Sequence, residues 1–191
     1  MIRARAGQDA LAYLERIDPD GAQRMRDRMP QESWTVLSTA RKSEWIPLEH
    51  DHHLSDGWIP VFGRERAIEL IAGSVLDVFE TPVLKPLIQG AIRLLGATPA
   101  SLIKIIPRAS TQIYRNFHDI RIGDRRDGFT ELHFEEIHPQ VLAHPSYFFV
   151  WRGTFEAIFR LCRCEGRAQL DVDEAKRRAK WTLQWTERGA N

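Results

Sequence analysis

The sequence predicts an α+β fold: a helical N-terminal lobe followed by a four-stranded antiparallel sheet with a long helix packed on it. Three observations carry this. From residue 7 to residue 118, apolar residues recur at helical spacing almost throughout. After His118 the period changes to two, and one long aromatic helical run divides that stretch into two strand pairs. A helix laid on a sheet is the economical way to bury one face of each. The 191 residues, 43% hydrophobic and 28% charged, suffice for one core and exclude disorder, collagen and coiled coil as overall descriptions. The expected division is a helical lobe over 1–118 and an α+β lobe over 119–191, folding together as one cooperative domain.

Leu11, Leu14 and Ile17 mark the first helix, stopped by Asp18-Pro19-Asp20-Gly21, and Gln23 to Arg28 form a charged second helix. Pro30 stands where a helix starts well, with Trp34, Leu37 and Ser38 on its inner face. Trp45-Ile46-Pro47 ends that run, and residues 49–56 read as a solvated loop before Gly57-Trp58-Ile59-Pro60. Arg64 to Glu80 is the clearest amphipathic helix, with Ile68, Ile71, Ala72, Val75, Leu76 and Phe79 at helical spacing. Thr81-Pro82 opens a further helix running to Leu95 and closed by Gly96, and Thr98-Pro99 repeats the start signal. Pro107 interrupts the helix that Thr98-Pro99 opens.

In the second lobe Ile120 and Ile122, then Thr130, Leu132 and Phe134, alternate with polar residues around a turn at 123–128. Pro145 opens the aromatic helix, expected to run to Gly166 and to carry both cysteines, Cys162 and Cys164. Ala168, Leu170 and Val172 form the third strand; Trp181, Leu183 and Trp185 form the fourth.

The 27 basic and 26 acidic side chains leave a net charge of +1, which argues against nucleic acid as the main partner. No apolar stretch has the secretory pattern or approaches the ~20 residues of a membrane helix. Two cysteines at i, i+2 on a helix face different ways, so an internal disulfide is disfavoured and a reduced, cytoplasmic setting is expected. No dinucleotide fingerprint, phosphate loop, Gly-x-Ser-x-Gly or His-Glu-x-x-His occurs, so hydrolase, kinase and dehydrogenase chemistry has no support.

Four constellations remain. His50, His52 and His53, within Glu49-His50-Asp51-His52-His53, supply zinc- or iron-ligand chemistry, and His50 and His53 share a helical face if the segment is helical. Glu131, His133 and Glu135 alternate on one strand face; a metal or an acid–base pair fits there, as does an ordinary solvated strand. Residues 49–80 hold seven acids and two bases, a local charge of −5. Residues 81–118 hold five bases and no acid, among them Lys104, Arg108 and Arg115, the candidate nucleic-acid contacts. Phe148, Trp151, Phe155, Phe159, Trp181 and Trp185 are core candidates that also suit a ligand cavity or an interface.

The succession Trp45-Ile46-Pro47, helices, Ile106-Pro107-Arg108 before a strand pair, a long helix, and a last strand ending Leu183-Gln184-Trp185 resembles an uncharacterised family of proteins of similar length, multiplied in myxobacteria. The layout is also similar to a wider group: vinyl-reductase-type domains, haem–nitric-oxide-binding domains and transport-particle (TRAPP) subunits. The resemblance implies a non-catalytic α+β domain that binds a small apolar ligand, a protein partner or a second copy of itself, and the expectation is a regulatory or sensory module, a homodimer, with no cofactor. Haem-binding members of that group carry a Tyr-x-Ser-x-Arg signature that grips the propionates. Here the nearest approach, Ser110 to Arg115, has another order and spacing, so no haem ligand is transferred.

Overall fold

The computed structural model describes residues 1–80, 85–86, 89–90 and 98–187. Strand β1 (Ile2–Arg3) runs directly into helix α1 (Ala4–Ile17). The Asp18-Pro19-Asp20-Gly21 break is a single residue wide. Asp18 caps α2 (Pro19–Arg28), its Oδ1 accepting the Gly21 N–H at 2.8 Å, and Pro19 fills the first helical position, where its missing N–H costs nothing. In α3 (Gln31–Thr39) the buried residues are Ser33 and Leu37; Ser38, expected inside, is exposed. Trp34 is half-buried, with the Arg26 guanidinium 4.0 Å from its ring.

β2 (Trp45–Ile46) pairs antiparallel with β1, Ile46 opposite Ile2. The segment expected as a solvated loop is instead helix α4 (Leu48–Phe62). Its buried face includes His50, His52, Ser55 and Gly57 beside Leu48, Leu54 and Trp58. A periodicity that scores histidine and serine as polar cannot see such a face. Gly63, with φ of 73°, makes the left-handed corner into α5 (Arg64–Phe79), the amphipathic helix that was expected. The helix signalled by Thr81-Pro82 lies largely outside the described residues. Thr98 caps α6 (Pro99–Ile103), accepting the Ser101 N–H at 3.3 Å, and Pro107 sits in the first turn of a separate α7 (Ile106–Ile113).

β3 (Asp119–Arg126) and β4 (Phe129–Glu135) form the hairpin, turning at Asp127-Gly128. A single-turn α8 (Pro139–Leu142), too short to show a period in the sequence, precedes the long α9 (Ser146–Leu161). The aromatic helix stops at Leu161, short of Gly166: Arg163 adopts a φ of 54°, and Cys164 already belongs to β5 (Cys164–Asp173). β6 (Arg178–Glu187) closes an antiparallel sheet in the order β3-β4-β6-β5.

One sheet face presents Thr130, Leu132, Phe134, Ala168, Trp181 and Leu183, all buried, to α9. The other face of α9 meets α5. Gly153 allows that approach, since a Cβ there would stand 2.4 Å from Ile71 Cγ2. One hydrophobic cluster runs from Ile2 through α1, α4, α5 and α9 to Trp185. No helix among the described residues is long and apolar enough to cross a membrane.

Candidate functional site

The densest side-chain constellation lies where α9, α7 and the β3–β4 hairpin meet. Tyr147 and Trp151, one turn apart on α9, face Tyr114, Phe117 and His118 from the segment between α7 and β3, and Phe134 from β4. The His118 ring lies 4.8 Å from Phe117, 5.0 Å from Phe134, 5.4 Å from Tyr114, 5.9 Å from Tyr147 and 6.3 Å from Trp151, centroid to centroid. Burial holds the His118 pKa down at about 4 and pushes that of Tyr147 well above the ordinary phenol value. Both groups are therefore neutral at pH 7, and the Tyr147 hydroxyl and His118 Nε2 are hydrogen-bonded at 2.5 Å. His118 Nδ1 and Trp151 Nε1 are buried without a hydrogen-bond partner. Half-buried Asp51 reaches the same region from α4: desolvation lifts its carboxyl to about 7, and its charge helps to raise the Tyr114 phenol.

The histidines of α4 divide by helical geometry. His50 and His53, three residues apart, turn to α3, where the Ser33 hydroxyl lies 2.9 Å from His50 Nδ1 and 2.7 Å from His53 Nδ1. A hydroxyl has one proton to give, so Ser33 bridges the two rings by donating to no more than one of them. His52 points away from that pair. It is fully buried (0% exposed), neither ring nitrogen has a partner, and its ring centroid is 4.5 Å from that of His144. Burial, then the neighbouring His144, lowers its pKa to about 4. His144 Nδ1 in turn meets Asp56 Oδ2 at 3.1 Å, and the Ser146 hydroxyl donates to the other Asp56 oxygen. The three candidate ligands thus face two ways. Among the described residues no group of three or more His, Cys, Asp or Glu is placed to hold a metal ion.

Phe148, Trp151, Phe155, Phe159, Trp181 and Trp185 are all buried between α9, the sheet and α5, with Phe155 and Trp181 edge to face at 5.1 Å. Trp185 borders an open groove of about 560 Å³ lined also by Arg126, Phe129, Gly166 and Arg167 at one end of the sheet. Glu131, His133 and Glu135 occupy the sheet face away from α9 and pair along β4 and with its two neighbouring strands. His133 Nε2 is 3.1 Å from Glu131, Lys180 is 3.4 Å from Glu131, and Arg121 is 3.3 Å from Glu135. Lys104, Arg108 and Arg115 are exposed, none with a carboxylate within 4.0 Å among the described residues. Cys162 is half-exposed, and burial and the nearby Cys164 push its thiol up to about 12, far from a reactive thiolate.

Sequence reasoning did not single out Ser33, Asp51, Tyr114, His118 or Tyr147 as a constellation. Each becomes notable only through residues at least 17 positions away, a separation that local spacing does not reach.

The fold is that of haem–nitric-oxide-binding (H-NOX) domains. An Fe(II) unliganded H-NOX protein from K. algicida superposes with a TM-score of 0.66 at 10% identity over 100% of both chains. An Fe(II)NO H-NOX protein from S. oneidensis gives 0.58 at 8% identity over 94% of this chain and 99% of that one. An oxygen-binding H-NOX domain related to soluble guanylate cyclases gives 0.56 at 9% over 100% of both. No family model and no curated protein sequence matches.

The histidines and cysteines present do not fit a haem. Its iron is held by His, Cys, Met or Tyr. Residues 81–97 and 188–191 contain none of these, so every candidate lies among the described residues. Rings, not a slot, surround His118, and its Nε2 is taken by Tyr147. His52 is closed off by His144. His50 and His53 converge on Ser33, His133 lies on the outer sheet face, and His138 caps α8. Cys164 bonds the Phe159 carbonyl, and Cys162 is held as a thiol. The sequence also lacks the propionate-gripping Tyr-x-Ser-x-Arg.

Proposed function

We propose that this chain is a non-catalytic regulatory or sensory module that uses the H-NOX fold without haem and acts by binding a protein partner or a small apolar ligand. The observation that carries the reading is the conflict between fold and interior. The chain follows oxygen- and nitric-oxide-liganded H-NOX domains end to end, yet five aromatic rings fill the space around the candidate ligand His118. What remains of such a domain is a rigid aromatic core joining a helical lobe to a sheet, a scaffold suited to passing on a binding event. In this reading the chain works as a homodimer, in line with the frequency of two-fold pairing among soluble chains. Haemin titration tests the core claim. The expected spectrum is that of free haemin at every ratio; a stoichiometric, protein-shifted Soret band ends the proposal.

A further inference from the structure

The two short strands β1 and β2 form, with residues 114–115, a small antiparallel corner whose alternation sorts its side chains. Ile2 bridges Tyr114 and opposes Ile46; Ile2 and Ile46 are buried in the common core. Arg3 and Trp45, the neighbouring register pair, fall on the opposite face. Arg115 joins them there. The Arg3 and Arg115 guanidinium carbons stand 4.0 and 4.4 Å from the Trp45 ring centre. Stacking of this kind orders a guanidinium while leaving its N–H edge directed outward. Arg3 uses part of that edge on the Ser43 carbonyl. Helix α7, which packs on β1, adds Arg108 one turn after Lys104 and seven residues before Arg115.

Among the described residues these cations have no counter-charge. Three of the seven acids of 49–80 are answered by cations inside the chain, Asp77 by Arg16 at 2.5 Å, Glu69 by Arg66 at 3.0 Å and Glu80 by Lys85 at 2.6 Å, and Asp56 meets His144 at 3.1 Å. Arg3, Lys104, Arg108 and Arg115 have no carboxylate within 4.0 Å among the described residues. Like charges held together without an opposite one attract an anionic partner. The surface is also partly apolar: Ile105, 36% exposed, stands between Lys104 and Arg108 in the chain, and Trp45 is half-buried. A phosphodiester backbone offers nothing to Ile105, and guanidiniums already lie against the ring on which a base would stack. A carboxylate-bearing peptide with an apolar side chain satisfies both features, because the guanidinium fork matches a carboxylate.

We propose that α7 and the β1–β2 corner dock an acidic, leucine-bearing segment of a partner protein, with Arg3, Arg108 and Arg115 taking its carboxylates and Ile105 its apolar side chain. This rests on reading the chain as a partner-binding module. Fluorescence anisotropy on the full chain tests it with three labelled probes: a peptide with Glu and Leu at helical spacing, its Gln-for-Glu counterpart, and a DNA duplex. The Glu–Leu peptide is expected to bind best. Arg108→Glu with Arg115→Glu weakens it by about tenfold or more, and Ile105→Ser weakens it severalfold, with melting temperatures unchanged because the three sites are exposed. No binding of the Glu–Leu peptide, or equal binding of both peptides, overturns the proposal. Loss on charge reversal with no effect of Ile105→Ser reduces the surface to counter-ion exchange and also overturns it. Tighter, steeply salt-dependent duplex binding replaces it with a nucleic-acid surface. A Soret band from the same preparation would end the haem-free reading alone, while a colourless protein that ignores the peptide would end only this one.

Discussion

Replacing Trp181 tests the register of the whole sheet. Its indole is 3% exposed, lies edge to face with Phe155 on α9 at 5.1 Å, and is flanked by Leu132 on β4 and Leu170 on β5. Truncating a buried Trp to Ala costs about 3–5 kcal/mol through lost transfer energy and the cavity left behind. The aromatic pair with Phe155 adds ~0.5–1.5 kcal/mol. One feature opposes this loss: Nε1 is buried without an acceptor, and removing an unpaired N–H returns about 1–3 kcal/mol. Trp181→Ala is therefore expected near the lower end, about 3 kcal/mol, or a fall in melting temperature of roughly 6–12 °C for a chain of this size. Trp181→Phe keeps the edge-to-face ring and sheds the unpaired N–H, so it should cost less than about 1.5 kcal/mol. Urea denaturation followed by circular dichroism measures both. A Trp181→Ala midpoint equal to the parent would put the indole in solvent and shift the register of β6 by one residue. A Phe variant as damaged as the Ala variant would mean that the indole N–H is satisfied.

Gly153→Ala should destabilise by about 1–3 kcal/mol, because its Cβ would press on Ile71, whose backbone belongs to α5; an unchanged midpoint would show that the two helices are not in contact there. Acid should unfold the protein through His52 and His118. Both have pKa values near 4 when folded, below the ordinary 6.5, so the unfolded chain takes up protons first and stability falls from about pH 6.5 to pH 4, by up to ~3 kcal/mol for each ring. Asp51 works in the opposite sense. Its folded value near 7 means that the native state binds a proton between about pH 7 and pH 4, so Asp51→Asn should make the acid loss steeper, and a flatter profile would contradict this sign. Light scattering should give twice 22.1 kDa if the chain self-associates. A single-chain mass across a wide concentration range removes the homodimer from the proposal.

The sheet was legible because its two faces differ so sharply. Leu132 and Phe134 are buried while Glu131 and His133 pair on the far side, and period two records that contrast directly. Helices α5 and α9 were legible for the same reason at another period. What failed was α4. Four of its buried positions are His50, His52, Ser55 and Gly57, residues that hydropathy places outside, and their burial depends on Ser33, His144 and Met25 from elsewhere. The C-terminus of α9 was misplaced because Gly166 looks like a helix stop. Its actual use is in β5, where the Phe159 ring leaves no room for a Cβ, while the left-handed residue that ends the helix is Arg163.

The charge pattern marks the limit of that legibility. The sequence sets a −5 segment against a +5 segment, and a sum over residues invites the idea that two copies match them across an axis. Pairing is a property of space, however. Arg16 and Lys85, both from outside 49–80, take up two of the acids, Arg66 takes a third, and Asp51 lies against Gly7 of α1. The negative segment therefore carries less free charge than the sum suggests, while among the described residues Lys104, Arg108 and Arg115 keep theirs. A dimer of this chain would have to be held by apolar contact and be indifferent to salt beyond the ~8 Å Debye length of physiological solution. The uncompensated positive face is left for a different molecule.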